Sequence, residues 1–134
     1  MNKLAPQFIV DHLKSSVTFY TEKLGFKVDW MNDHDPKFVI LNREGVVLML
    51  RQLSVNKLAR PNRIPFIDSG WHTEGAEAWD AYIWMDDVET FYDQCIAHNV
   101  SIVKKLQLTD YGNLDFEIED PDGYILCFGK IIKN

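Results

Sequence analysis

The chain carries one pattern twice. Residues 10–13 read VDHL and lead to TFY at 18–20, while residues 85–88 read MDDV and lead to TFY at 90–92. Each copy then runs through a helix-like stretch to a glycine turn that feeds an apolar strand. Two halves of one kind predict a pseudo-symmetric fold with equivalent positions of both halves around one cleft. The residue types at those positions therefore decide what the cleft binds.

The first half, residues 4–52, is predicted to form a βαβββ module. A helix is expected after Asp11, where apolar residues recur at helical spacing until Gly25 supplies a left-handed stop. The stretch from Phe26 to Trp30 alternates apolar and charged residues, which predicts a half-buried strand. The other three strands are expected at residues 4–10, 38–41 and 46–50.

The second half, residues 80–130, repeats the βαβββ order. Residues 81–85 alternate as a strand does, a helix is expected to start at Asp86, and residues 114–119 alternate again. The predicted fold class is α+β, a single domain over residues 1–134 whose two modules form a curved mixed sheet around a cleft. Residues 53–79 are predicted to be a long connector, and loops of that length are usually functional or mobile.

Composition narrows the partners. The chain has 20 acidic against 14 basic residues, a formal net charge of -6, which disfavours nucleic acid and anionic membranes and slightly favours a cationic ligand. No stretch reaches the roughly 18 consecutive apolar residues of a membrane span, and no signal segment is evident at the start. The protein is therefore expected to be soluble and cytoplasmic. Cys95 and Cys127 lie in apolar runs without CxxC spacing, which indicates reduced cysteines.

The strand alternation also predicts which side chains face the cleft. If Leu114, Phe116 and Ile118 pack under the helices, the carboxylates between them face the concave side. The same argument applied to residues 80–84 gives an aromatic and acidic wall, suited to flat cations. The predicted ligand-binding residues are Asp80, Tyr82, Trp84, Asp115 and Glu117, with Gln7, Met49, Arg51 and Cys127 completing the wall and Trp71 and Trp79 as a candidate lid.

Each of these features also has a structural interpretation. Tyr82 and Trp84 are equally the kind of residues that pack between modules or at a dimer interface. The carboxylates of the strand at 114–119 fit an ordinary solvated face. Trp71 and Trp79 are also typical of anchors that pin a loop to the body. Burial and contacts in the folded protein distinguish the two interpretations.

The paired βαβββ order, the first-helix motifs DHL at 11–13, FY at 19–20 and LGF at 24–26, and EDPDGY at 119–124 resemble the vicinal oxygen chelate superfamily. That group includes glyoxalase I, extradiol dioxygenases, fosfomycin-resistance enzymes and bleomycin-resistance proteins. The resemblance spans residues 4–129 and is specific for the fold, because members share a scaffold and differ in the cleft. It also implies a homodimer, since members often build their clefts from modules of two chains.

The resemblance further implies where a metal would be held. In metal-dependent members each half offers a His, Glu or Gln on its first strand and a Glu or His on its last strand. Those positions fall on Ala5 and Asp80 and on Met49 and Cys127. Ala5 has no ligand atom, and the Met49 thioether does not suit magnesium, manganese or iron(II). We therefore expect no metal and no cofactor.

One other metal arrangement has suitable donor types. A histidine with two carboxylates suits iron(II) or manganese, and His72, Asp80 and Glu117 offer that set. Their spacing matches no pattern that we recognise.

Three functions follow from these observations. The favoured hypothesis is a metal-free protein of the bleomycin-resistance type that binds and sequesters a cationic or planar aromatic small molecule. The second is a glyoxalase-like lyase or a dioxygenase relative with an atypical metal site. The third is a stand-alone scaffold or regulatory module whose cleft is filled by its own side chains. Whether the chain is an enzyme stays open at this point, with binding preferred over turnover.

Overall fold

A computed structural model describes residues 2–32, 34–54, 63–74 and 78–132. It contains two four-stranded mixed sheets with few helices, which confirms the predicted α+β class and its two modules. Contacts divide the chain into two compact units, an N-terminal unit that holds the first sheet and a C-terminal unit that holds the second. Within the described ranges, no helix is both long and apolar enough to cross a membrane.

The N-terminal unit forms a sheet of order β1-β4-β3-β2, with β1 parallel to β4 and the other pairs antiparallel. The helix of this unit continues directly into a π-helical segment, Phe19–Lys23. The elements are β1 (Gln7–Val10), α1 (Leu13–Thr18), β2 (Lys27–Met31), β3 (Phe38–Arg43) and β4 (Val46–Gln52).

One face of this sheet is apolar because β1, β3 and β4 place every second residue on the helix side. The buried residues on that face are Phe8, Val10, Val39, Leu41, Leu48 and Leu50. Strand β2 departs from the prediction of a half-buried strand, since all five of its residues are exposed. It is one of the two edge strands of the sheet and pairs with β3. Unlike β1 at the other edge, it buries none of its residues.

The helices of the two units differ in length by one residue. In the N-terminal unit the run from Leu13 ends at Gly25, whose φ is +77°, and the amide of Phe26 donates to Tyr20 O at 2.9 Å. In the C-terminal unit the run from Val88 ends at Asn99, whose φ is +58°. The extra residue of the first helix lies in a run that contains the π-helical segment, where each turn takes more residues. The helix starts are equivalent, but TFY begins five residues after Leu13 in the first helix and two residues after Val88 in the second, so the two motifs lie about one turn apart.

The C-terminal unit repeats the arrangement with a sheet of order β5-β8-β7-β6, in which β5 is parallel to β8. Before it, the connector contains a helix and a 3₁₀ turn (Trp71–Glu74), neither of which the sequence pattern predicted. Residues 55–62 and 75–77 of the connector lie outside the described residues. The elements are α2 (Arg63–Ser69), β5 (Ala81–Trp84), α3 (Val88–Ala97), β6 (Ser101–Leu108), β7 (Asn113–Glu119) and β8 (Ile125–Ile131).

Aromatic packing fills the helix side of the second sheet. Phe91 of α3 contacts Phe128 of β8, with ring centroids 4.8 Å apart, and Phe116 of β7 stacks on Phe128 at 5.5 Å. Ile118 and Leu126 are fully buried beside them. The even-numbered residues of β7 thus pack under α3 as predicted, which directs the odd-numbered carboxylates to the opposite face.

Candidate ligand-binding site

Strand register assembles the candidate site on the face of the second sheet that points away from α3. Strand β5 pairs Tyr82 with Cys127 and Trp84 with Gly129, while β7 pairs Asp115 with that same glycine. Residues that are directly paired across strands share one face of a sheet. Aromatic side chains from β5 and carboxylates from β7 therefore meet over β8.

The aromatic side chains form a continuous series of ring contacts, here named the aromatic row: Trp84, Tyr82, Trp79 and Tyr111. The rings of Trp84 and Tyr82 have centroids 4.6 Å apart, Tyr82 and Trp79 are 5.2 Å apart, and Trp79 and Tyr111 are 6.4 Å apart. Three of the four are largely exposed, with fractions of 62% for Trp84, 53% for Tyr111 and 41% for Trp79. Exposed aromatic rings in mutual contact offer a ready binding surface.

Asp115 lies buried beneath this row, with only 1% of its surface exposed. Its Oδ2 accepts a hydrogen bond from the Tyr82 hydroxyl at 3.1 Å and another from the Tyr111 hydroxyl. The Asn113 amide nitrogen donates to the Tyr82 oxygen at 2.8 Å. Because that oxygen accepts from Asn113, its own hydrogen points to Asp115, and the direction of the network is set.

The two phenols are held in their neutral form. Burial, opposed in part by the hydrogen bond from Asn113 and reinforced by the nearby charge of Asp115, raises the pKa of Tyr82 to about 12. Burial and the hydrogen bond to Asp115 also raise the pKa of Tyr111 well above its ordinary value. Both hydroxyls therefore remain donors to the carboxylate at neutral pH.

Gly129 makes this arrangement sterically feasible. A Cβ at this position would lie 2.1 Å from the Tyr82 hydroxyl oxygen and 2.6 Å from the Cβ of Asp115. Both distances are far below van der Waals contact, so only glycine lets the Tyr82 side chain cross β8 and reach the carboxylate.

A second carboxylate and a thiol complete the floor of the site. Glu117 is 2% exposed in its side chain, and its Oε2 lies 3.9 Å from Lys104 Nζ. Cys127 is fully buried, and burial together with the charges of Asp115 and Glu117 raises the pKa of its thiol. The cysteine is therefore present as a thiol rather than as the nucleophilic thiolate.

Asp80 has a structural role that the sequence did not predict. Its Oδ2 accepts from the backbone amide of Ile125 at 2.8 Å, and its own amide donates to the carbonyl of Ile125 at 2.8 Å. Asp80 thus joins the start of β5 to the start of β8. Its carboxylate therefore contributes to the pairing of these two strands, and one of its oxygens is engaged by a backbone amide.

The other predicted residues are distributed over both units. In the N-terminal unit, Arg51 Nε donates to Gln7 Oε1 at 3.3 Å, and Met49 is the cross-strand partner of Gln7. Arg51 Cζ also lies 4.6 Å from the ring centroid of Phe38. Of the two connector tryptophans, Trp79 belongs to the aromatic row, whereas Trp71 lies exposed on the 3₁₀ turn outside it.

The positions at which the resemblance would place metal ligands do not carry donors that fit a divalent-metal site. Ala5 offers no donor, Met49 offers a thioether, and the Cys127 thiol is held protonated. Asp80 already binds a backbone amide. In the described part of the chain, no three His, Cys, Asp or Glu side chains come together in a metal-binding group, which includes the set with His72.

The site contains residues that the sequence reasoning missed. Asn113 follows the same alternation as Asp115, two residues earlier on β7, so extending the pattern by one step identifies it. Lys104 lies opposite Glu117 on β6, where the sequence does not alternate and the register shifts on both sides of the lysine, so periodicity does not identify it. Tyr111 sits in the turn before β7, where no periodicity applies. Gly129 had no signal beyond being a glycine inside a strand.

A shallow depression adjoins the aromatic row at the end of β5. It has a volume of about 420 Å³ and is lined by Trp84, Met85, Asp86, Lys130 and Ile131. Lys130 Nζ binds Glu89 Oε2 at 2.7 Å beside it. Trp84 therefore borders both the aromatic row and this depression.

Comparison with solved structures identifies the fold. The chain is similar to TioX from Micromonospora sp. ML1, with 15% identity, a TM-score of 0.74, and coverage of 98% of this chain and 100% of that one. It is also similar to a bleomycin resistance determinant encoded on the transposon Tn5, with 21% identity, a TM-score of 0.70 and 98% coverage of both chains. A glyoxalase/bleomycin resistance protein/dioxygenase from Alicyclobacillus acidocaldarius gives 15% identity and a TM-score of 0.70, with coverage of 98% and 92%.

No curated protein sequence matches the chain. A family model does match, over residues 4–128, and its description agrees with the duplicated βαβββ units and with the similar structures. The family includes both enzymes and proteins that only bind. By this match over nearly its whole length, the chain belongs to the Glyoxalase/Bleomycin resistance protein/Dioxygenase superfamily.

Proposed function

We propose that this chain is a metal-free binding protein of the bleomycin-resistance type, which sequesters a cationic or planar aromatic small molecule. The observation that carries the proposal is the aromatic row above the buried carboxylate of Asp115. Aromatic faces attract cations, and each such contact contributes about 0.5 to 2 kcal/mol depending on desolvation. Within the described residues, no lysine, arginine or histidine forms an ion pair with Asp115, so a ligand cation would be its counterion.

Binding rather than turnover is supported by the chemistry of the polar groups. Tyr82, Tyr111 and Cys127 all have raised pKa values, so none of them exchanges a proton readily at neutral pH. A general acid or base works best when its pKa lies near the working pH. The polar groups of the site are therefore suited to holding a shape and a charge.

The metal-free part of the proposal has its own experiment. Elemental analysis of protein purified without chelator is expected to find no stoichiometric divalent metal, because the family's ligand positions carry unsuitable donors. A stoichiometric metal would instead favour the enzyme of the glyoxalase or dioxygenase kind.

We further propose that the protein is a homodimer, as the family resemblance implies. Sedimentation velocity checks this directly, since a monomer at all concentrations would contradict it. Further residues are proposed to face a ligand in addition to the aromatic row. They are Gln7, Met49, Arg51, Asp80, Asp115, Glu117 and Cys127, with Trp71 as a proposed lid.

Calorimetric titration with bleomycin tests the ligand class. We expect Trp84→Ala to weaken binding about tenfold, because it removes an exposed ring of the row. The matched variant is Trp71→Ala, since Trp71 and Trp84 are each 62% exposed but only Trp84 belongs to the row. An equal loss of affinity in both variants would indicate that Trp71 also contacts the ligand, as a lid would. No heat with bleomycin or with other cationic aromatic compounds would overturn the proposed function.

A further inference from the structure

We infer that the site selects cations that carry no N–H donor, such as quaternary ammonium groups or N-alkylated heteroaromatic rings, over primary ammonium or guanidinium groups. The inference rests on the proposed cation-binding function and deepens it by naming the ligand's chemical class. It follows from which atoms of Asp115 and of the aromatic row are available to a ligand.

The carboxylate of Asp115 is not accessible for direct pairing. Protonated amines and guanidinium groups bind carboxylates through short N–H···O hydrogen bonds. Asp115 is 1% exposed, and its Oδ2 already accepts from Tyr82 and Tyr111. An incoming N–H group would have to displace one of these phenols before it could reach the oxygen.

The hydroxyl groups above the carboxylate offer little in exchange. The Tyr82 oxygen accepts from Asn113 and donates to Asp115, so its hydrogen-bonding capacity toward a ligand is largely used. Tyr111 donates its hydroxyl hydrogen inward, so toward a ligand its oxygen can only accept. A primary ammonium brings three donors and is strongly hydrated, so from these two hydroxyls it would gain a single acceptor oxygen in exchange for its water.

A quaternary cation does not meet this difficulty. It has no donors to satisfy, and its charge is spread over alkyl or aromatic C–H groups that contact ring faces directly. The negative charge of Asp115 lies behind the rings and adds to their attraction for a cation. The second carboxylate contributes less, because Glu117 has Lys104 at 3.9 Å.

The experiment is a calorimetric titration of the whole chain with two matched probes. Phenyltrimethylammonium carries a quaternary charge, and benzylammonium carries three N–H donors on a ring of the same size. We expect the quaternary probe to bind at least about tenfold more tightly to the wild-type protein. Neutral tert-butylbenzene has nearly the shape of the quaternary probe but no charge. We expect it to bind more weakly than phenyltrimethylammonium.

Two variants test the cause of the preference. Tyr111→Phe removes the hydroxyl that covers Oδ2, so benzylammonium should gain affinity relative to phenyltrimethylammonium. Asp115→Asn keeps the shape and removes the charge, so the quaternary probe should lose several-fold in affinity. Glu119→Gln, an exposed carboxylate on the same strand, is the control for net charge and should change neither. Thermal unfolding of each variant establishes that it is folded.

The outcomes separate the inference from the proposed function. If benzylammonium binds the wild-type protein as tightly as phenyltrimethylammonium, or if Tyr111→Phe leaves their ratio unchanged, the inference is overturned and the cation-binding function stands. If neither cation binds, the proposed function fails and the inference fails with it. If tert-butylbenzene binds as tightly as phenyltrimethylammonium, the site does not select cations: the inference is overturned, and the proposed function is reduced to the binding of planar aromatic compounds.

Discussion

The two sheets use one register to build faces of opposite character. In the N-terminal unit Arg51 pairs with Phe38, and the guanidinium lies 4.6 Å from the ring centroid. At the corresponding positions of the C-terminal unit, Gly129 pairs with Asp115. The first unit thus brings its own cation to its aromatic ring. The second has rings and a buried carboxylate, and among the described residues no cation is paired with that carboxylate.

The first strands show the same contrast. Gln7 pairs with Met49 in the N-terminal unit, as Tyr82 pairs with Cys127 in the C-terminal unit. The amide of Gln7 is exposed and meets its arginine in solvent. The phenol of Tyr82 instead bonds to Asp115 and Asn113, which are both buried. A few substitutions on one scaffold therefore decide whether an aromatic face is satisfied internally or is available to a ligand.

Substitution of Gly129 is expected to have the largest effect on the difference between the two units. Gly129→Ala is expected to lower the free energy of unfolding by about 3 kcal/mol, since its Cβ would displace Tyr82 and Asp115 and overpacking of this kind costs roughly that amount. Denaturant unfolding measures the loss. Arg51→Ala at the corresponding position of the N-terminal unit is the control. Unchanged stability in Gly129→Ala would show that the network does not need the close approach.

Asp80 is the next largest difference between the units, because the N-terminal unit has Ala5 at the corresponding position. Asp80→Ala should lower the free energy of unfolding by about 2 kcal/mol through loss of the charge-assisted bond to the Ile125 amide. Asp80→Asn retains an acceptor and should cost less. Equal losses in both variants would contradict the hydrogen bond as the cause.

Alkaline titration tests the ionisation of Tyr82, which occupies in the C-terminal unit the position of Gln7 in the N-terminal unit. The pKa of Tyr82 is raised from 10.0 to about 12, so the unfolded chain releases this proton first and stability falls as pH rises from 10 toward 12. Ultraviolet absorbance of the phenolate follows the ionisation. Tyr82→Phe should remove one phenolate from the upper part of the titration. Asp115→Asn should lower the pKa of Tyr82 only in part, because burial is the larger cause.

Arg51→Ala is expected to have the smallest effect. Its contacts with Phe38 and Gln7 are exposed, and an exposed cation–π contact contributes about 0.5 kcal/mol. Denaturant unfolding should therefore give a value close to that of the wild-type protein. A loss of several times this size would show that the N-terminal face is as tightly organised as the C-terminal one.

Periodicity predicted the parts of this fold that depend on strand alternation. The doubled motif gave two modules, and alternation put Tyr82, Trp84 and Asp115 on one face, as the register shows. Side-chain hydrogen bonds depend instead on rotamers and on turn conformation, and neither of these repeats at a fixed spacing along the sequence. For that reason neither Tyr111 nor the structural role of Asp80 was predicted.

The helix in the connector was missed for a different reason. Pro65 marks a break in most helical patterns, so the sequence of the connector predicts a loop. In the structure Pro65 lies in the first turn of α2, where its missing amide hydrogen would have had no partner within the helix. A proline near a helix start is compatible with the helix, but only the position of that start reveals it.

The π-helical segment at Phe19–Lys23 shows where a duplicated chain tolerates a change of length. An inserted residue inside a strand would move every following side chain to the other face of the sheet. In the helix, the additional residue is taken up within the run that holds this segment, and β3 and β4 pair without a shift of register. The two modules could therefore diverge in chain length without exchanging the inner and outer faces of either sheet. Insertions in such proteins are best sought on the helices that cover the sheets, and substitutions that alter binding on the strands.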